Sequence, residues 1–262
     1  MKAVFGPISS WRFGQVLCVD LATSDRKYCS FDCVYCPQRR PTRGLTRRRW
    51  FVASSGVEAQ LASVTPDDMG WVTFAGHGEP TLAGNLREIV DLTKAQFGLP
   101  VAVLTNSSLM PRDEVKEDLA KADTVVAKLD APSEDLFQAI NRPFVPHRLA
   151  DIVAALREFR EGFAGTLALQ MTLLDINKPL FGKMAALARE IGPDEVQLNV
   201  ASPRGEAKDG RNELTGICQL FTGLRVTGLT LEPATPSPSI ESSELPWLKR
   251  ANAEVMLMGV AS

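Results

Sequence analysis

Short β-branched runs alternate with helical patterns along most of this chain, and this alternation limits the fold more than any other feature. The runs that indicate buried strands are Val16–Asp20, Trp71–Ala75, Val101–Thr105, Thr124–Leu129, Leu167–Leu173 and Glu195–Val200. Helical patterns lie between them at Val57–Ser63, Leu86–Phe97, Asp113–Ala122, Leu149–Phe163 and Leu180–Ile191. Parallel strands need crossover helices, so the order predicts an α/β fold with a parallel sheet. Periodicity leaves open whether that sheet is open or curled into a partial barrel.

The alternation weakens beyond Pro203. The Pro- and Ser-rich segment Glu232–Pro246 indicates an extended connection, and Val255–Val260 has the pattern of a final strand. We therefore expect residues 1–205 to form the core and residues 206–262 to form a short C-terminal extension packed on it.

Charge and hydropathy narrow the functional classes. The formal net charge is −2, so no global positive field attracts the whole molecule to nucleic acid or anionic lipid. No apolar run approaches the roughly 20 residues that cross a bilayer. Gly6, Pro7 and Arg12 interrupt any apolar signal at the start. We expect a cytoplasmic protein with no membrane partner.

Three of the five cysteines fall within eight residues, in the text CSFDCVYC. The spacing of Cys29, Cys33 and Cys36 lets a short loop present three thiolates to one face of an iron–sulfur cube. Zinc also accepts thiolates but needs a fourth protein ligand, and the two histidines, His77 and His147, are remote in sequence. Three ligands leave one iron of a four-iron cube open. Cys18 and Cys218 are far from the other cysteines in sequence, and we expect both to be buried thiols with no role in the metal site.

CxxxCxxC after the first strand resembles the motif of the radical S-adenosylmethionine (SAM) superfamily. The resemblance implies that Cys29, Cys33 and Cys36 bind a [4Fe-4S] cluster. It also implies that SAM chelates the open iron and is cleaved by one electron to methionine and a 5′-deoxyadenosyl radical. The fold expected from it is a partial (β/α)6 barrel, with the site at the carboxyl ends of the strands.

Other segments match the family and imply further SAM-binding residues. In the loop FAGHGEPTL, Gly76, Gly78 and Glu79 look like the family's Gly-Gly-Glu segment, with Glu79 accepting from the SAM ammonium. His77 replaces a glycine there, and we expect it to point outward. The remaining cofactor candidates are Tyr35 against the adenine, Asn106 in LTNSSL, Lys128 in AKLDAP and Asn199 on the sixth strand. Asp130, Gln170 and Thr172 lie at a similar level along the predicted strands. Each either contacts SAM or the substrate, or caps the core.

Three stretches narrow the resemblance to small radical SAM oxidoreductases similar to wyosine synthase, which modifies a tRNA guanine. They are GPISSWRFG at residues 6–14, DAPSEDLFQAINRP at 130–143 and VQLNVASPRG at 196–205. Archaeal-type members carry a second cluster on additional N-terminal cysteines, whereas only Cys18 lies upstream here. The substrate therefore stays open between tRNA, a small molecule and a peptide. An external electron donor of the flavodoxin or ferredoxin type is also implied.

A basic stretch follows the cysteines and consists of Arg39, Arg40, Arg43, Arg47, Arg48 and Arg49. Arginine forks pair well with phosphate, so the stretch is either an RNA guide or a solvated basic loop. Two alternatives to a SAM enzyme with its own substrate stay open. One is an activase that places a radical on a partner protein, and the other is a metal-stabilised nucleic-acid-binding module without turnover.

Overall fold

The computed structural model describes residues 1–24, 26–36, 38, 41, 44–200 and 211–228. Within them, eight strands form one sheet whose spatial order is the order of the chain. The strands are β1 (Val4–Ser10), β2 (Gly14–Val19), β3 (Trp71–Phe74), β4 (Val101–Thr105), β5 (Thr124–Lys128), β6 (Thr166–Leu173), β7 (Glu195–Val200) and β8 (Val226–Gly228). The β1 strand pairs with β2 antiparallel, and every later pair is parallel.

Seven α-helices accompany these strands in the described part of the chain. They are α1 (Ser54–Leu61), α2 (Leu86–Phe97), α3 (Asp113–Leu119), α4 (Glu134–Asn141), α5 (Leu149–Gly162), α6 (Phe181–Ile191) and α7 (Arg211–Cys218). Short 3-10 helices lie at Pro80–Leu82, Lys178–Leu180 and Gln219–Phe221. Gly98 and Gly192 end α2 and α6 with φ of 64° and 68°, the left-handed conformation that glycine adopts readily.

The sequential strand order decides how the sheet is covered. Crossovers between parallel strands are right-handed, so strands added in one direction place all their helices on the same face. Neighbouring helices contact one another along that face, as α1 does with α2 and α5 with α6. The sheet curves so that its opposite, helix-free face becomes the inside of a partial barrel. The central strands β3 to β6 are almost wholly buried, and polar side chains gather at the carboxyl ends of the strands.

All six predicted strands are confirmed, and the structure adds four elements that the sequence analysis missed. The β1 strand contains Gly6 and Pro7, which argue against a strand. It is tolerated because it lies at the sheet edge, where the register shifts between Phe5 and Ile8. The short helices α4 and α7 and the three-residue strand β8 gave no long periodic signal. Since β8 pairs with β7, the sheet continues past residue 205.

The division into a core and an extension at residue 205 stays a prediction. The expected connection at Glu232–Pro246 and the strand at Val255–Val260 lie outside the described residues. Among the described helices, none is long and apolar enough to span a bilayer.

Candidate functional site

The cysteine loop, defined as Cys29–Cys36, follows β2 at the carboxyl edge of the sheet. The last turn of α4 and the segment after it hold the loop in place through backbone hydrogen bonds. The Val34 N–H donates to the Ile140 carbonyl at 2.9 Å, and the Phe144 N–H donates to the Ser30 carbonyl at 2.9 Å. This connection positions the loop from a part of the chain that is more than a hundred residues away.

Each thiol of the loop has one nitrogen donor from a different part of the chain. These are Lys27 Nζ at 3.2 Å from Cys36 Sγ, Asn106 Nδ2 at 3.5 Å from Cys29 Sγ, and Asn141 Nδ2 at 3.5 Å from Cys33 Sγ. Cys29 is buried, and the other two cysteines are half-buried. Within the described residues, no three His, Cys, Asp or Glu side chains converge closely enough to surround a single metal ion.

Lys27 tests whether these residues fit an iron–sulfur cluster. Its side chain is buried, which lowers its pKa, but Cys36, Cys29 and Cys33, in their ionised form, raise the pKa above its ordinary value. Burial raises the pKa of Cys29 to about 12, so this thiol keeps its proton unless a metal replaces it. A buried ammonium needs a counter-charge. A cluster held by three thiolates supplies that charge, so the donor set fits the group.

The loop Gly76–Pro80 follows β3 and packs against the strand end and against the chain before the cysteines. A Cβ on Gly76 would lie 2.2 Å from Asp20 Cγ, and one on Gly78 would lie 1.9 Å from the Tyr28 carbonyl oxygen. Both glycines are thus required by the close approach of the protein itself. The expectation that His77 points outward is wrong, because His77 is 4% exposed and its N–H donates to Asp20 at 2.9 Å.

Asp20 is a site residue that the sequence analysis did not single out. Burial raises its pKa to about 7, although the N–H groups of His77 and Ala22 favour the carboxylate. It fixes the Gly76–Pro80 loop to the end of β2. The available signal was its position, since polar side chains at the carboxyl ends of parallel strands face the site.

Glu79 is fully enclosed and connects the Gly76–Pro80 loop to the end of β4. Its carboxylate accepts from Thr105 Oγ1 at 2.6 Å, from the Asn106 N–H at 2.7 Å and from Thr81 through both Oγ1 at 2.7 Å and N–H at 3.1 Å. Burial raises the Glu79 pKa, and these donors oppose that effect. A carboxylate has about four acceptor positions, so the protein already engages most of them. Binding of the SAM ammonium by Glu79 stays a prediction.

Tyr35 lies against the end of β5. Its hydroxyl donates to Asp130 Oδ2 at 2.5 Å, and its ring centroid is 4.7 Å from Lys128 Nζ. Lys128 also donates to Thr172 Oγ1 at 3.0 Å. Burial and the Asp130 charge raise the Tyr35 pKa well above its ordinary value, so the hydroxyl stays a donor. The structure thus brings Tyr35 and Lys128 together with Asp130, while contact with the adenine stays a prediction.

Asn141 and Asn199 complete the mouth of the barrel. The Asn141 amide that approaches Cys33 also donates to Asp130 at 3.0 Å, which joins the cysteine loop to the Lys128–Asp130 pair. Asn199 is half-buried on β7 and pairs in register with Thr172 of β6. Its predicted role in SAM binding is untested. Asn141 lies in the family-like stretch 130–143, but it was not singled out because its approach to Cys33 depends on a tertiary contact.

The basic stretch is not uniform where the structure describes it. Arg48 is directed into the protein, where it donates to the Thr81 and Ala83 carbonyls at 3.0 Å each and pairs with Asp118. The Arg49 guanidinium lies over the Tyr28 ring at 4.7 Å, while Arg47 is exposed. Both an RNA guide and a solvated loop need guanidinium groups that reach the solvent, and Arg48 does not provide one. The other arginines of the stretch, Arg39, Arg40 and Arg43, lie outside the described residues.

The model of the radical SAM superfamily matches residues 26–188, which is more than half of the chain and includes all of the loops described above. The chain therefore belongs to the radical SAM superfamily. Members of this family bind SAM and carry a [4Fe-4S] cluster, so the cofactor prediction is confirmed.

Relatives and solved structures agree with this assignment. A UPF0026 protein from Synechocystis sp. is 35% identical over 218 residues, which are 82% of each chain. A UPF0026 protein from Methanocaldococcus jannaschii is 32% identical over 206 residues, 76% of this chain and 63% of that protein. The fold resembles Streptococcus suis SuiB bound to S-adenosylmethionine with a TM-score of 0.60 at 16% identity. That match covers 84% of this chain and about half, 53%, of SuiB. The predicted partial barrel is confirmed.

Proposed function

We propose that this protein is an enzyme that reductively cleaves SAM at a [4Fe-4S] cluster bound by Cys29, Cys33 and Cys36. The observation that carries the proposal is the buried Lys27 ammonium at 3.2 Å from Cys36 Sγ, in a loop where each of the three thiols has a nitrogen donor. Such a cation is stable in a buried site when anionic thiolates surround it.

The residues of the site divide the work of binding and orientation. A cluster held by Cys29, Cys33 and Cys36 would supply the one-electron chemistry that cleaves the sulfonium of SAM to methionine and a 5′-deoxyadenosyl radical. Glu79 and the adjoining Gly76 and Gly78 hold the amino-acid part of SAM. Tyr35 and Lys128 line the side of the mouth that β5 forms, and Asn106 and Asn199 flank it from β4 and β7. The barrel wall excludes water from these groups.

The substrate of the radical is the open part of the proposal. The resemblance to wyosine-synthase-like oxidoreductases favours tRNA. By the same resemblance, we propose a cytoplasmic enzyme that receives electrons from a flavodoxin- or ferredoxin-type donor. SuiB has been solved with its precursor peptide SuiA. That likeness extends to the fold, so a peptide and a small molecule remain alternative substrates.

The test is anaerobic reconstitution with iron and sulfide, followed by incubation with SAM and dithionite. We expect a brown protein with about four irons per chain that forms 5′-deoxyadenosine and methionine. Matched samples reconstituted with zinc should form neither product. Stoichiometric zinc with no iron uptake under these conditions would support a metal-stabilised binding module and contradict the enzyme.

The activase alternative makes a separate prediction. It requires a partner protein that acquires a glycyl radical, detected by electron paramagnetic resonance after mixing with the reduced enzyme and SAM. An extract of the same organism that gains no such signal, while SAM cleavage proceeds, favours an enzyme with its own substrate.

A further inference from the structure

Lys27 is unusual among the buried charged side chains because its environment is made of sulfur. It lies two residues before Cys29, is 6% exposed, and donates to Cys36 Sγ. Lys94 and Lys128, by contrast, have carboxylate neighbours: Lys94 Nζ is 2.8 Å from Asp123 Oδ1, and Lys128 Nζ is 4.0 Å from Asp130 Oδ1. For Lys27, the side-chain partner is a sulfur, with Nζ lying 3.2 Å from Cys36 Sγ.

This placement has an electrostatic consequence for the bound cluster. Reduction adds one electron and no proton, so the cluster with its three thiolates becomes more negative by one unit. A fixed positive charge beside it stabilises the reduced state more than the oxidised state, and burial strengthens the interaction because water screens it less. Charge and hydrogen bonds to sulfur are the two main ways in which a protein sets an iron–sulfur potential. Lys27 provides both.

We propose that Lys27 is a positioning residue that holds a fixed positive charge against the Cys36 side of the cluster and thereby makes the cluster easier to reduce. The inference rests on the proposed function, since it requires that the three cysteines bind the cluster. Asn106 and Asn141 donate to the other two sulfurs as neutral amides at 3.5 Å, so their effect on the potential is smaller than that of the charge.

The experiment compares Lys27→Met, which removes the charge at similar volume, with Lys27→Arg, which retains it. Each variant is reconstituted anaerobically, its iron is counted, and its cluster is titrated with a redox mediator series while electron paramagnetic resonance follows the reduced state. We expect Lys27→Met to keep its iron while the equilibrium constant for reduction falls at least about tenfold. That fall corresponds to a potential more negative by about 59 mV for one electron. Lys27→Arg should stay close to the parent.

The matched control is Lys94→Met. Lys94 lies at the end of α2 and donates to Asp123, which precedes β5 at the opposite end of the sheet. Its replacement should leave the potential unchanged. A parallel change in this control would show that the titration responds to general destabilisation, and that result would overturn the inference.

Each further outcome decides the question. An iron-loaded Lys27→Met with the parent potential overturns the proposal, as does an equal fall in Lys27→Arg, because the effect would then come from geometry. If Lys27→Met takes up no iron while Lys27→Arg loads normally, the charge requirement is supported. Failure of both variants to load points to packing and overturns it. If the parent itself binds no iron, the proposed function fails, and the inference fails with it.

Discussion

The Gly76–Pro80 loop and the segment from Lys27 to Cys36, which contains the cysteine loop, each bury a charged side chain at the same edge of the sheet, yet they satisfy it differently. Glu79 is satisfied by the protein, through two threonine hydroxyls and two backbone N–H groups. Lys27 has thiols around it, which carry negative charge when they bind a metal. The first loop is therefore complete in the folded chain, and the second is complete only with its cofactor. Substitutions in the first should reduce folding stability, and those in the second should reduce cofactor loading.

The largest effect should follow removal of a cluster ligand. Cys29→Ala, Cys33→Ala and Cys36→Ala should each abolish the brown colour and SAM cleavage, because three thiolates are the minimum that holds the four-iron cube. Iron content and 5′-deoxyadenosine formation measure the loss. Because these cysteines serve cofactor loading rather than folding, the unfolding midpoint of the cluster-free protein should stay unchanged.

Cys18→Ala is the matched control. Its thiol is buried and donates to the Ala75 carbonyl, with a pKa raised to about 12 by burial, so it resembles a ligand cysteine in everything except position. Full iron content in this variant, and in Cys218→Ala, is expected. A cluster that survives loss of Cys29, Cys33 or Cys36 would contradict the site assignment.

Glu79→Ala should break the other loop. It leaves Thr105, Thr81 and the Asn106 N–H without their acceptor, which should lower the free energy of unfolding of the cluster-free protein by about 2 kcal/mol. If Glu79 also binds the SAM ammonium, SAM affinity should fall at least about tenfold in the iron-loaded variant. Denaturant unfolding and equilibrium SAM binding measure the two effects separately.

The unfolding and SAM-binding measurements on Glu79→Ala distinguish a structural role from a role in SAM binding. Reduced stability with unchanged SAM affinity would assign Glu79 a structural role alone. Unchanged stability would contradict the comparison between the two loops. Glu88→Ala is the control, since Glu88 accepts from Ser54 on the surface and is remote from the mouth.

The sequence predicted what depends on local pattern, and it missed what depends on tertiary contacts. The six central strands follow from continuous β-branched runs, and the ligand cysteines follow from their spacing. Asn141 approaches Cys33 from 108 residues away, so the family-like stretch 130–143 that contains it did not reveal this contact. His77, which replaces a glycine of the family's Gly-Gly-Glu segment, was expected to point outward. It is buried because Asp20 accepts its N–H and draws the loop inward.

Asn141→Ala should have a smaller effect on cluster reduction than Lys27→Met, because it removes a neutral dipole rather than a charge from beside the cluster. Loss of the amide donor to Cys33 should lower the equilibrium constant for cluster reduction by about three- to tenfold, the range for one hydrogen bond of ordinary strength. The same redox titration measures it. Asn85→Ala is the control, because Asn85 is also buried but donates to Val52 and Ser54. A shift larger than that of Lys27→Met would reverse the order of the two contributions.

The smallest expected effect concerns the basic stretch, where the structure separates two neighbouring arginines. Arg47 is exposed, whereas Arg48 pairs with Asp118 and donates to two carbonyls. If the stretch guides tRNA, Arg47→Ala should flatten the dependence of log affinity on log salt by about 0.7 to 0.9, the value of one phosphate contact. Arg48→Ala should leave that slope unchanged and instead lower the free energy of unfolding by about 1–3 kcal/mol, because Asp118 loses its partner.

Binding of unfractionated tRNA at several salt concentrations, with heparin as the competing polyanion, measures this slope. The net charge of −2 gives the molecule no general attraction to RNA, so any slope must come from local groups. A triple variant, Arg39→Ala with Arg40→Ala and Arg43→Ala, extends the test to the start of the stretch and should add about 0.7 to 0.9 for each arginine that contacts a phosphate. SAM cleavage without substrate should stay at the parent rate in every variant except Arg48→Ala.

If tRNA binds the parent no more tightly than heparin does, and the triple variant has the parent slope, the stretch is a solvated loop. The substrate is then to be sought among small molecules and peptides.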